Sequence, residues 1–311
     1  MQLKVTGLLS ADVLIHLANT YTTSTKALSL VENIANGMIS GQLKMSELFD
    51  GLTRQERQCL EHAVRRFHKI GMMAQTKGVK VLVDAEYTYL NPAINLLTMA
   101  LMAIFNTDSP VIWNTYQCYL KKALETITTE VEMSQKLGVC FGAKIVRGAY
   151  MVQEHQRAVS LGYPSPICEN YEATNNNYNK VVKYMLDHVQ TGQSTCNIII
   201  ATHNEESVRL AIRRVNELGI QPHLGTVNFG QLLGMSDQIT FPLASAGFTV
   251  YKSIPYGPLG EVLPYLARRA MENQTVLAGA RKEQQLLWQE IKLRAKNCLT
   301  PNLREIPTRT F

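Results

Sequence analysis

No two of the six cysteines stand in a C-x-x-C pair. Cys59, Cys118, Cys140, Cys168, Cys196 and Cys298 are scattered over 311 residues. That spacing argues against a zinc site or a disulfide framework and predicts reduced thiols in an intracellular protein. No apolar run reaches the length of a membrane span; the most apolar helical stretch, 94–105, has the length of a core helix. No GxGxxG follows any strand pattern, so a Rossmann dinucleotide domain lacks its fingerprint. Basic charge is not concentrated either. Net charge is +6, but the one dense region, around Arg281, Lys282, Lys292 and Arg294, is interleaved with Glu283 and Glu290. This is the pattern of a solvated helix, and no nucleic-acid partner is expected.

What is present is enough apolar material for a sizeable core, 46% of residues, arranged in alternating short strands and helices. Strand patterns fall at 3–8, 79–84, 111–115, 141–146, 197–202, 227–230 and 248–253. Helical patterns fall at 54–77, 92–106, 120–137, 171–189, 205–218, 259–273 and 279–295. Such repetition predicts an α/β fold with a parallel sheet. Seven strands without a break in composition favour one closed barrel of the (βα)8 type over residues 1–311, with a doubly wound sheet as the alternative. Residues 10–50, rich in Ser, Thr and Asn, are expected to be an irregular insertion after the first strand. The start is no secretory signal, because Lys4 interrupts it. LKVTGLL resembles a strand beginning almost at residue 1, and predicts a native segment upstream of this chain.

In such barrels function sits at the C-terminal ends of the strands. Those ends carry Lys4; Asp84 and Glu86; Asn114 to Gln117; Lys144, Arg147 and Gly148; Thr202, His203 and Asn204; Gln231; and Ser253 with Tyr256 beyond. Singly, each reads as an interface or capping residue; His203–Asn204 alone reads as the cap of the helix starting near Glu205. The adjacent Arg268 and Arg269 repel each other unless an anion or acids such as Glu261 and Glu272 neutralise them, and a guanidinium fork suits a carboxylate. Together these residues predict an electropositive cavity for an anionic cofactor and a small acid.

The strings LVDAEYTYLNPA, IWNTYQCYLK, FGAKIVRGAY, YEATNNNY, ATHNEESVR, FGQLLGM and VYKSIPYGPLGEVLPYLARRAMEN occur in this order and span about 3–295. By them the chain resembles the proline dehydrogenase family, flavoenzymes on a distorted (βα)8 TIM-like barrel with the last helix placed over the barrel mouth. The resemblance implies FAD as cofactor, a small imino acid as substrate and a quinone as electron acceptor. It also implies a mitochondrial location, with peripheral contact at the matrix side of the inner membrane. It assigns Lys4, Asp84, Leu232, Ser253, Tyr265, Arg268 and Arg269 to the substrate, with the two arginines clamping its carboxylate and Asp84 paired to Lys4. It assigns Gln117, Lys144, Arg147, Gly148, Ala149, Thr202, His203, Asn204 and Glu272 to the FAD. Bacterial relatives carry the arginine and lysine of the fourth strand in the opposite order, so the individual roles of Lys144 and Arg147 stay open. They also carry an aromatic residue where this chain has Met151.

Ser253 bears on the choice of substrate. Members that prefer proline carry tyrosine there, whereas members that prefer trans-4-hydroxyproline carry serine. A serine leaves room for a ring hydroxyl and can hydrogen-bond it. The expected reaction is therefore oxidation of trans-4-hydroxy-L-proline to 1-pyrroline-3-hydroxy-5-carboxylate. Oxidation of L-proline is the alternative, and a barrel that binds imino acid or flavin without turnover is the remote one.

Overall fold

The computed structural model describes residues 1–24, 26–43, 50–191, 195–272 and 280–299. One parallel sheet organises them. Its strands are β1 (Gln2–Leu3), β2 (Val81–Val83), β3 (Ile112–Gln117), β4 (Phe141–Val146), β5 (Cys196–Ala201), β6 (Val227–Leu232) and β7 (Thr249–Ser253). They lie side by side in chain order, every pairing parallel. The sheet curls until its edges meet: Gln2 Nε2, on β1, donates to Ser253 Oγ, on β7, at 3.2 Å. The architecture is a barrel-type α/β sheet of seven strands among the described residues, one for each strand pattern in the sequence.

The two faces of the strands have different chemistry. Successive residues of a strand point to opposite faces, and the parallel register carries each row from strand to strand. Val81, Val83, Ile112, Phe141, Ala143, Ile145, Ile198, Ile200, Val227 and Phe229 fall in one phase, and all are buried. They form the outer face. The helices between the strands are α3 (Arg54–Lys77), α4 (Asn91–Phe105), α5 (Ala123–Leu137), α6 (Met151–Leu161), α7 (Tyr171–Thr191), α8 (Glu205–Glu217) and α9 (Asp237–Ser245); α4, α5, α7 and α9 pack directly on strands, and α8 packs on α7. The opposite phase faces the barrel interior. Its lower layer holds Trp113, with Lys80 Nζ 5.0 Å from the ring and hydrogen-bonded to Tyr251 Oη at 3.4 Å.

The described residues of 10–50 are mostly helical rather than irregular. They contain α1 (Ala11–Thr23) and α2 (Ala27–Ser40), both packed on α4. The apolar stripes Val13, Leu14, Leu17 and Leu30, Val31, Ile34, Met38 are buried. α4 is buried on nearly all sides, so it needs cover opposite the sheet, and these stripes supply it. The polar residues that hide the pattern are bonded within the helix: Thr20, Thr22 and Thr23 donate to the carbonyls of His16, Ala18 and Asn19. The first strand is shorter than expected. After Leu3 the chain turns into a 3-10 segment, Val5–Gly7, because Glu86 captures Thr6 through its amide at 3.1 Å and its hydroxyl at 2.6 Å. α6 and α9 were not expected. α6 leaves Met151, Val152 and Val159 exposed, and α9 contains Pro242, so neither shows a clean periodic stripe. After β7 come α10 (Leu259–Glu272) and α11 (Ala280–Leu299).

Candidate active site

The inward row rises from a lower layer around Trp113 and Lys80 to a polar rim. Register places Gln2 beside Leu82, hence Lys4 level with Asp84, and it pairs Thr115 with Lys144, Gln117 with Val146 and Leu232 with Ser253. Lys4, Asp84, Gln117, Lys144, Leu232 and Ser253 therefore share one face. Lys144 Nζ and Asp84 Oδ1 form an ion pair at 2.6 Å, with side chains only 10% and 20% exposed. Charges so far from water are retained only when paired.

Asp84 was expected to pair with Lys4. The structure gives it Lys144 and turns Lys4 to Tyr150, whose hydroxyl accepts from Nζ at 3.2 Å. Partial burial works against the Lys4 ammonium, but Tyr150, Glu86 and Asp84 outweigh it and raise its pKa. Tyr150 is in turn braced by Tyr87, ring centroids 4.6 Å apart. Gln117 donates to the Glu86 carbonyl at 2.7 Å, while its Oε1 is buried without a protein partner. Glu86 itself is a structural clamp on Thr6.

Arg147 lies in the other phase from Lys144. Its guanidinium sits 4.3 Å from the Tyr178 ring of α7 and bonds Asn175, Thr202 and Ser207. The two cations of β4 are thus divided, Lys144 inside the barrel and Arg147 between strand ends and helix layer. Gly148 follows with φ of 136°, a conformation that favours glycine, and a Cβ there would overlap the Tyr119 ring. Ala149 lies half-buried beside it. Beyond β5, Asn204 caps α8, accepting from Ser207 N at 2.9 Å. His203 Nδ1 meets Ser236 Oγ at 3.1 Å, and its Nε2 accepts from Leu232 N at 3.5 Å, so the proton resides on Nδ1. Burial first, then Lys252 and Arg147, push the imidazole pKa down to about 4. His203 is a neutral ring at ordinary pH.

Tyr265, Arg268, Arg269 and Glu272 stand on α10. The Arg269 guanidinium lies 5.4 Å from the Tyr265 ring; the side chains of Arg268 and Glu272 fall outside the described residues. Among the described residues no group of three or more His, Cys, Asp or Glu could hold a metal ion, and no helix is long and apolar enough to cross a membrane.

The family model for proline dehydrogenase matches residues 7–282. The chain belongs to the proline dehydrogenase family. It is 45% identical over 301 residues to hydroxyproline dehydrogenase of Xenopus laevis, covering 96% of this chain and 63% of that one. It is 46% identical over 257 residues to mitochondrial proline dehydrogenase 1 of Homo sapiens, covering 83% and 42%. The chain thus spans about two thirds or less of the relatives it matches. Among solved structures, proline utilization A of Bdellovibrio bacteriovorus, inactivated by N-propargylglycine, has a TM-score of 0.61 at 24% identity over 74% of this chain and 24% of that one. That likeness supports the fold.

Within this family frame, sequence reasoning missed Tyr150, Tyr87, Asn175, Ser207, Ser236 and Gln2. Tyr150 closes the GAY string and carried a signal. The others are partners chosen by tertiary packing, and nothing local marks them.

Proposed function

We propose that residues 1–311 form one proline dehydrogenase-type barrel domain that oxidises trans-4-hydroxy-L-proline to 1-pyrroline-3-hydroxy-5-carboxylate, with FAD as cofactor and a quinone as the final electron acceptor. The observation that carries this reading is the inward rim that joins Lys4, the Asp84–Lys144 pair, Leu232 and Ser253 on one face. The residues present fit a flavin. Gln117 Oε1 is a buried acceptor awaiting a donor, and Lys144 is a buried donor beside it on the same face. Gln117, Lys144, Arg147, Gly148, Ala149, Thr202, His203, Asn204 and Glu272 would hold it. When bound, FAD supplies the acceptor for the hydride leaving the ring carbon beside nitrogen.

The protein's part is orientation and electrostatics. Arg268, Arg269 and Lys4 bind the substrate carboxylate and aim the ring. Lys144 offsets negative charge that develops during the reaction. Neutral His203 adds no further cation to this set, so it does not compete for the carboxylate. Tyr265 and Leu232 pack on the ring. Ser253 leaves space for the ring hydroxyl and bonds it. The ring nitrogen must be unprotonated to release electrons, so the rate is expected to rise with pH through the bound amine's pKa.

Oxidation of L-proline is the second reading, favoured by the 46% identity to proline dehydrogenase 1. That relative's mitochondrial name supports a mitochondrial location, with the matrix face of the inner membrane as the place where a quinone is met. The test of substrate choice is Ser253→Tyr: the ratio of kcat/KM for hydroxyproline over proline should fall, and an unchanged ratio would sink the assignment.

A further inference from the structure

We propose that Gln2 is a positioning residue for the substrate's ring hydroxyl, acting through Ser253; the proposal rests on the reading of Ser253 given above. Gln2 opens β1, held against β2 in register with Leu82, with Leu82 N donating to the Met1 carbonyl at 2.8 Å. Its side chain faces inward and crosses the seam of the barrel, where Nε2 donates to Ser253 Oγ at 3.2 Å. Ser253 is held in the sheet edge, its carbonyl accepting from Leu233 N at 3.1 Å. Both ends of the contact are thus anchored by backbone ladders.

A hydroxyl offers one hydrogen and two acceptor positions. The Gln2 amide fills one acceptor position, which turns the serine hydrogen away from Gln2 and presents Ser253 as a donor. The oxygen of a ring hydroxyl accepts from such a donor, whereas an unsubstituted ring has no acceptor there. Gln2 therefore acts on discrimination between the two imino acids, beyond the room that a small residue at 253 provides. The two residues meet only because the sheet curls until its edge strands come within side-chain reach.

The test uses the flavin-loaded chain and compares kcat/KM for trans-4-hydroxy-L-proline and L-proline. Gln2→Leu should lower the hydroxyproline-to-proline ratio about threefold, the lower range for a hydrogen bond with a solvent-exposed partner. Gln2→Glu should lower it at least as far, since a carboxylate only accepts and draws the serine hydrogen toward itself. In a Ser253→Ala background Gln2→Leu should leave the ratio unmoved, as expected for residues acting through one contact. An unchanged ratio in both Gln2 variants overturns the proposal, as does an equal fall that persists without the Ser253 hydroxyl. A loss of both rates at constant ratio marks Gln2 as structural only and also overturns it. If neither imino acid reduces the flavin of the unaltered chain, the substrate reading itself fails, and the role of Gln2 with it.

Discussion

Glu130 gives the sharpest test of how this fold handles buried charge. It lies on α5, 3% exposed, against the outer face of β3. There Asn114 and Tyr116 interrupt the apolar row. Tyr116 Oη donates to Glu130 Oε2 at 2.5 Å and Asn114 Nδ2 donates to the same oxygen at 2.9 Å; Asn114 also reaches Asn95 Oδ1 on α4 at 3.1 Å. The groups facing Glu130 from β3 and α4 are neutral, and the Tyr21 phenol of α1 feels its charge. Burial raises the carboxyl pKa from 4.5 to about 7, and the hydrogen bonds from Tyr116, Asn114 and Asn95 offset part of that. At about 1.4 kcal/mol per pH unit, the difference amounts to about 3 kcal/mol.

The sign follows from proton linkage. Between pH 4.5 and about 7 the folded chain holds a proton that the unfolded chain has released. Stability therefore falls as pH rises through that window, and the whole penalty is present above it. Glu130→Gln keeps an acceptor for Tyr116 and Asn114 and carries no charge at any pH. Its unfolding free energy, from urea titrations followed by circular dichroism, should nearly match the parent near about pH 4 and exceed it by about 3 kcal/mol near about pH 8. Parallel curves across that range would refute the reasoning. Glu130→Ala, which strands Asn114 and Tyr116, should destabilise at both ends.

Three further outcomes follow from the site. Asp84→Ala leaves Lys144 buried without its 2.6 Å partner; unfolding free energy should drop by about 3 kcal/mol and flavin content should fall, as denaturant and absorbance titrations would show. His203, its pKa lowered to about 4, stays neutral when folded but gains a proton when unfolded, so its contribution is lost as pH falls from 6.5 toward 4. His203→Gln should flatten that acid limb in the melting temperature. Gly148→Ala, at φ 136° against the Tyr119 ring, should cost about 2 kcal/mol or more and lower the melting temperature.

The sheet was legible because parallel strands covered by helices need an apolar outer face, and runs such as Ile198 to Ile200 declare it. α3 was legible at its ends because Thr53 and Glu56 form a capping box and Gly78 closes the helix in the left-handed conformation. α1 and α2 were not, since side chains that bond their own helix backbone read as loop residues. At the site, the strand-end residues were legible one by one through their position in the repeat. Their pairing was not: Asp84 takes Lys144 rather than Lys4, and Arg147 turns outward, because phase along β4 and the reach of each side chain decide partners. The Gln2–Ser253 contact, 251 residues apart, exists only once the sheet has curled to bring its two edges together.

The central claim, that this rim oxidises a hydroxylated imino acid, is tested most directly by anaerobic mixing of the purified yellow protein with trans-4-hydroxy-L-proline and, separately, with L-proline. The account predicts that hydroxyproline bleaches the flavin absorbance, and does so with the higher kcat/KM. Bleaching by proline at equal or greater efficiency would contradict the substrate assignment, and a flavin that neither bleaches would contradict the activity.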